Sequence, residues 1–129
     1  NAAPAPESPP PWYGAADPLV VNEHEAAQLA TSDEAGAGLL RQLWERTGAR
    51  SVVMTLGERG ALVDDGTEVH AIPPVVVEQV VDATGAGDTF VGVLAARLAR
   101  GEGLVAAASA ANRFAAEAVT WPGARPPAE

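Results

Sequence analysis

Apolar residues occur first in short unbroken runs and later at helical spacing, with polar, proline or glycine-rich stretches between them. Leu19-Val20-Val21 is a run of buried-strand type, and Asn22-Glu23-His24-Glu25 opens a helix through about Leu29. Thr31 with Glu34 has the form of a capping box, which predicts a second helix. Leu39, Leu40, Leu43 and Trp44 form the apolar stripe of that helix, and Gly48 ends it. Ser51–Leu56 predicts a strand, followed by the turn Gly57-Glu58-Arg59-Gly60. Ala61–Asp64 and Thr67–Ala71 flank Asp65-Gly66, the signal for a two-residue antiparallel hairpin at about 61–71. Pro73-Pro74 breaks the chain, and Val75–Val77 predicts one more short strand.

Helical spacing then takes over. Phe90, Val91, Leu94 and Leu98 share one face, Gly92 leaves room for another element to approach, and Gly101 lies at the expected stop. An alanine-dominated helix is predicted from about Leu104 to Val119. Its stripe of Val105, Ala108, Asn112, Ala115 and Val119 puts one amide on an apolar face. A buried amide needs partners, so Asn112 is either satisfied by backbone or looks into a ligand pocket.

Composition narrows the function. The 129 residues suffice for one domain with a core, and 47% hydrophobic content is that of a globular chain. A net charge of −9 argues against nucleic acid or an anionic membrane as the main partner. No apolar run approaches a membrane span. The absence of cysteine excludes disulfides and thiolate metal sites and fits a reducing cytoplasm. His24 and His70 have no ligand partners at helix or strand spacing, so both read as solvated or structural. Residues 1–18, with six prolines from Pro4 to Pro18, read by composition as an extended linker.

The chemistry concentrates in Val81-Asp82-Ala83-Thr84-Gly85-Ala86-Gly87-Asp88-Thr89-Phe90. Gly85, Ala86 and Gly87 bring backbone N–H groups near a ligand without bulky side chains, at the start of a helix whose first amides lack acceptors. Such an end receives phosphate. Asp88 in the first turn would be repelled by phosphate if it only bound it, so its place suggests that it handles a proton from a substrate hydroxyl. An ordinary cap made by Thr84 or Asp88 is the simpler alternative. A Walker loop is excluded because the eight basic residues are all arginine, and the dinucleotide fingerprint fails where Phe90 replaces a small residue.

The stretch from Asp82 to Phe90 resembles the signature of the ribokinase-like (PfkB) carbohydrate kinases, with Ala83 in place of the usual threonine. Further matches follow in family order. Asn1-Ala2-Ala3-Pro4-Ala5-Pro6 is similar to a loop that follows a sheet strand in the family. Asn22 and Glu25 match an Asn-x-x-Glu motif, although the same pair also forms a plain capping box. Thr55, Gly57 and Gly60 match a segment that touches nucleotide, and a plain turn is the other reading. Ala118–Ala124 resembles the closing segment of the family.

The resemblance implies a three-layer α/β/α ribokinase-like fold, C-terminal nucleotide-side part, over residues 19–129, with the sugar-recognising N-terminal half and its lid absent. It implies phosphoryl transfer from ATP to a sugar or sugar-like alcohol, with Asp88 as base and the Gly85, Ala86 and Gly87 amides around the developing charge. Thr55, Gly57, Gly60 and Asn112 would meet the nucleotide. Asn22 and Glu25 would hold magnesium through ordered water. Asp82 and the Thr84 carbonyl would face a potassium site, against which Pro127 counts because relatives can offer a hydroxyl there. A kinase for a nucleoside or vitamin precursor shares the signature, and a non-catalytic remnant that binds nucleotide or associates with another chain is the competing class. Without the other half, the edge of the Leu19–Val21 strand and the apolar faces beside it are expected to be exposed and to favour self-association.

Overall fold

A strand hands over to a helix at Asn22, and that junction is fixed entirely by neighbouring residues. In the computed structural model, which describes residues 1–123, β1 (Leu19–Asn22) runs directly into α1 (Glu23–Ala30). The Asn22 Oδ1 accepts the Glu25 N–H at 2.8 Å, and the Glu25 carboxylate accepts the Asn22 N–H at 2.9 Å. This is a complete capping box, which satisfies two amides that a helix start would otherwise leave open. Asn22→Ala is therefore expected to destabilise the first unit by about 0.5–2 kcal/mol, read as a lowered urea midpoint.

The described residues form two compact units, of which the first comprises residues 1–57 and 61–71. Its sheet has the order β1-β2-β3-β4, with β2 at Val52–Thr55, β3 at Ala61–Asp64 and β4 at Val69–Ile72. β1 pairs parallel with β2, Leu19 opposite Val52, across a connection made by α1 and α2 (Gly36–Thr47). β2 pairs antiparallel with β3, Val53 opposite Val63. The architecture is thus α/β with a mixed sheet. The apolar runs of β1 and β2 join Leu29, Leu39, Leu40 and Leu43 in one core. Burying each such leucine contributes about 1.5–3 kcal/mol.

Several expectations change here. The proline-rich segment is not an extended linker: Ala2 and Tyr13 are buried, and the Ala2 N–H donates to the Val20 carbonyl at 2.9 Å. The β1 edge is accordingly not bare, and Leu19, Val20 and Val21 are all buried. Thr31 does not cap α2. It ends α1 in a left-handed conformation, φ 53°, so its backbone is already committed, and α2 starts after Ala35 without a side-chain cap. Trp44 is 40% exposed, since the three leucines beside it already fill the buried stripe.

The hairpin exists, but its turn is longer than two residues. The Asp65 N–H donates to the Glu68 carbonyl, and Asp65 Oδ1 accepts from the Thr67 N–H, the Thr67 hydroxyl and the Glu68 N–H. An aspartate that gathers this many donors stabilises a wider loop than Asp-Gly alone encodes. These donors, with His70, hold the Asp65 carboxyl well below the usual carboxylate range. His70 Nε2 lies 2.8 Å from Asp65 and 3.6 Å from Glu68, so this histidine does have acidic partners, all in the turn.

The second unit comprises residues 58–60 and the chain from Ile72 onward. α3 (Ala86–Ala99) packs against α4 (Leu104–Ala118). Phe90 and Leu94 are buried on α3, and Ala107, Ala108, Ala110 and Ala111 are buried on α4. Gly92 is exposed, and a side chain added there would meet no described residue beyond its own helix within 4 Å. Val75–Val77 forms no strand, and Val76 is 92% exposed. Pro73 and Pro74 lack N–H groups for a ladder, and the next backbone donors used, those of Val81 and Asp82, go to the Val119 carbonyl. Ala124 and Pro127 lie outside the described residues.

Candidate functional site

The glycine-rich turn is where local geometry turns into chemistry. Gly85 caps α3 with φ 82°, a conformation that favours glycine, and no side chain caps the helix. The first helical bond runs from Thr89 N–H to the Gly85 carbonyl at 2.9 Å. Of the amides ahead of it, that of Ala86 donates to the Ala83 carbonyl at 3.3 Å. Those of Gly85, Gly87 and Asp88 have no acceptor among the described residues. A side chain added at Gly87 would meet nothing within 4 Å. Three donors at a helix start with no acceptor among the described residues suit an anion with several oxygens.

Asp88 is exposed in the first turn of α3. Asp82 has a different duty. Its Oδ1 accepts the Thr84 N–H at 2.8 Å, closing an Asx turn that shapes the approach to Gly85. The Thr84 hydroxyl and then the Thr84 N–H hold the Asp82 carboxyl below its ordinary value, so it stays ionised.

The other site residues predicted from sequence sit in varied surroundings. Asn22 and Glu25 belong to the first unit, whereas Gly85, Ala86, Gly87 and Asp88 belong to the second. The Asn22 Oδ1 and one Glu25 carboxylate oxygen are engaged by each other's N–H groups. Thr55 is half-buried at the end of β2, its hydroxyl 3.4 Å from the Val21 carbonyl, and Gly57 is exposed. Gly60 is buried in the second unit. Asn112 is buried, and its amide nitrogen donates to the Pro73 carbonyl at 3.0 Å. Of its two open readings, backbone satisfaction therefore accounts for the nitrogen.

Sequence reasoning missed a cleft of about 560 Å³ in the second unit. Val75, Val77 and Val81 line one wall, and Arg113, Glu117 and Thr120 the other. The spacing of Arg113 and Glu117, one helical turn apart next to Asn112, is the signal that could have marked it.

An α/β chain with a free-donor glycine turn feeding a helix, and an aspartate in that helix's first turn, has the build of a phosphate-handling domain. The family model for pfkB family carbohydrate kinases matches residues 3–129, and the chain belongs to that family. It is 37% identical over 101 residues to a bifunctional ribokinase/ribose-5-phosphate isomerase A of Fructilactobacillus sanfranciscensis, covering 76% of this chain and 18% of that protein. It is 40% identical over 86 residues to a cytidine kinase of Thermococcus kodakarensis, covering 64% of this chain and 30% of the relative. Among solved structures, an Arabidopsis thaliana ribokinase complexed with ribose and ATP superposes with a TM-score of 0.76 at 28% identity. That match covers 84% of this chain and 36% of the plant enzyme. The chain thus spans about a third or less of the length of these relatives.

Proposed function

We propose that this chain is the nucleotide-side part of an ATP-dependent kinase that phosphorylates a hydroxyl of a sugar or sugar-like alcohol. The observation that carries the reading is the set of uncommitted amides at Gly85, Gly87 and Asp88, standing in the signature of a carbohydrate-kinase family. These amides bind phosphoryl oxygens and hold the charge that develops on them during transfer, with no reorganisation needed at that moment. Asp88 accepts the proton of the attacking hydroxyl. Thr55, Gly57 and Gly60 supply the turn that meets the nucleotide. Asn22 and Glu25 orient water around magnesium, which when bound neutralises charge on the phosphates. Asp82 with the Thr84 carbonyl is the candidate potassium site.

A nucleoside hydroxyl is the second reading of the acceptor, supported by the similarity to a cytidine kinase. ADP release measured with ATP, magnesium and a panel of ribose, other free sugars and cytidine separates the two. Turnover with a free sugar alone supports the first reading, and turnover with cytidine alone supports the second. No ADP release with any acceptor, while ATP still binds, favours a chain that binds nucleotide without catalysis.

A further inference from the structure

Two residues of the second unit hold the backbone at Ile72–Pro73. Gly60, with φ of 90° and no side chain, lies against this peptide. A Cβ at Gly60 would run into the Ile72 carbonyl oxygen and would lie 3.0 Å from Pro73 C and Pro74 N. Asn112 reaches across 39 positions of sequence to donate to the Pro73 carbonyl. Neither Pro73 nor Pro74 has an N–H, so carbonyls are the only backbone handles there.

The same helix holds the far end of the segment. The Val119 carbonyl, at the C-terminal cap of α4, accepts the N–H groups of Val81 at 2.8 Å and Asp82 at 3.0 Å. Seven residues separate Asn112 from Val119, or about 10 Å of helix. Between the two anchors the connector 73–80 has no regular structure and borders the 560 Å³ cleft. α4 is therefore a splint, and Asn112 is its side-chain anchor.

We propose that Asn112 is a positioning residue of the nucleotide site. It fixes Pro73, and through the Ile72–Pro73 peptide it fixes the Gly60 end of the Thr55–Gly60 segment, without its amide nitrogen touching the ligand. The inference rests on the reading of that segment as a nucleotide contact. It differs from a direct contact because the nitrogen that would reach a base is already spent on Pro73.

The test uses the full chain with Asn112→Leu and Asn112→Asp, read by ATP titration from pH 5 to pH 8 and by hydrogen exchange. Asn112→Leu keeps the approximate size and removes the donor at every pH. Asn112→Asp keeps the shape, but its ionised carboxyl cannot donate to Pro73 and is repelled by that carbonyl. Once protonated, the carboxyl regains an O–H donor, and burial raises the pH at which this happens. The expected result is ATP affinity about tenfold weaker for both variants at pH 8, the scale of one neutral hydrogen bond. Asn112→Asp alone should recover towards the parent at pH 5. Amides of Arg59 and Gly60 should exchange faster in Asn112→Leu, while those inside α3 keep their protection. Equal loss of protection in α3 and at Gly60, or equal weakening of both variants at all pH values, would overturn the proposal. Should the parent chain bind no ATP, the nucleotide reading itself fails, and unchanged exchange at Gly60 in Asn112→Leu would sink the brace as well.

Discussion

Gly87→Val removes saturable nucleotide binding and leaves the fold as stable as before. Space explains both halves of this expected result. A Cβ at Gly87 meets no described residue beyond its chain neighbours and the backbone of its own helix within 4 Å, so the valine fits the folded chain. Valine in a helix is also no worse than glycine by intrinsic propensity. Gly87 is, however, one of the three residues at this helix start whose amides have no acceptor among the described residues. A branched side chain there keeps phosphoryl oxygens from reaching the amides. Loss of one such donor typically lowers turnover by about 10²–10³, and blocking the set should do no less. Displacement of a fluorescent ATP analogue, with a thermal melt of the same sample, checks both halves. Normal binding by a folded variant would remove the amide cradle from the mechanism.

Asp88→Asn has the opposite signature. Turnover of the intact kinase falls by about 10²–10⁴, the range for loss of a positioned general base, while ATP affinity is retained or improves. Retention follows from charge. The carboxylate stands in the first turn of α3 among the donors assigned to phosphate, where its own charge opposes the anion. The amide removes that repulsion, and with it the only group in this turn that accepts a proton readily. Single-turnover rates and equilibrium titration, measured on the same preparation, separate the two effects. A rate within threefold of the parent would take Asp88 out of the proton-transfer role.

What could be read from the chain before its fold was known depends on how local each cause is. The Asn22–Glu25 box closes within four residues and forms as the pattern implies. The glycine turn was equally legible, because Gly85 adopts a positive φ that its neighbours cannot adopt cheaply. Thr31 was misleading for a local reason too: it stands at the end of one helix and near the start of another, and the first claims its backbone. Val75–Val77 failed as a strand because β-propensity is realised only beside a partner. Here the nearby backbone donors go to Val119, 38 positions beyond Val81. The Asn112 bond to Pro73 lies beyond any window of sequence. The stripe marked that amide as buried without saying which group would meet it.

No described helix is long and apolar enough to cross a membrane. The phosphate-binding role proposed for the amides at the start of α3 is best tested with ATP. Calorimetric titration of the 129-residue chain with ATP in the presence of magnesium, repeated without the metal, is the most direct measurement. Saturable binding that weakens when magnesium is withdrawn is the result expected of a nucleotide site built on Gly85, Gly87 and Asp88. No heat of binding from a chain that circular dichroism shows to be folded would contradict it.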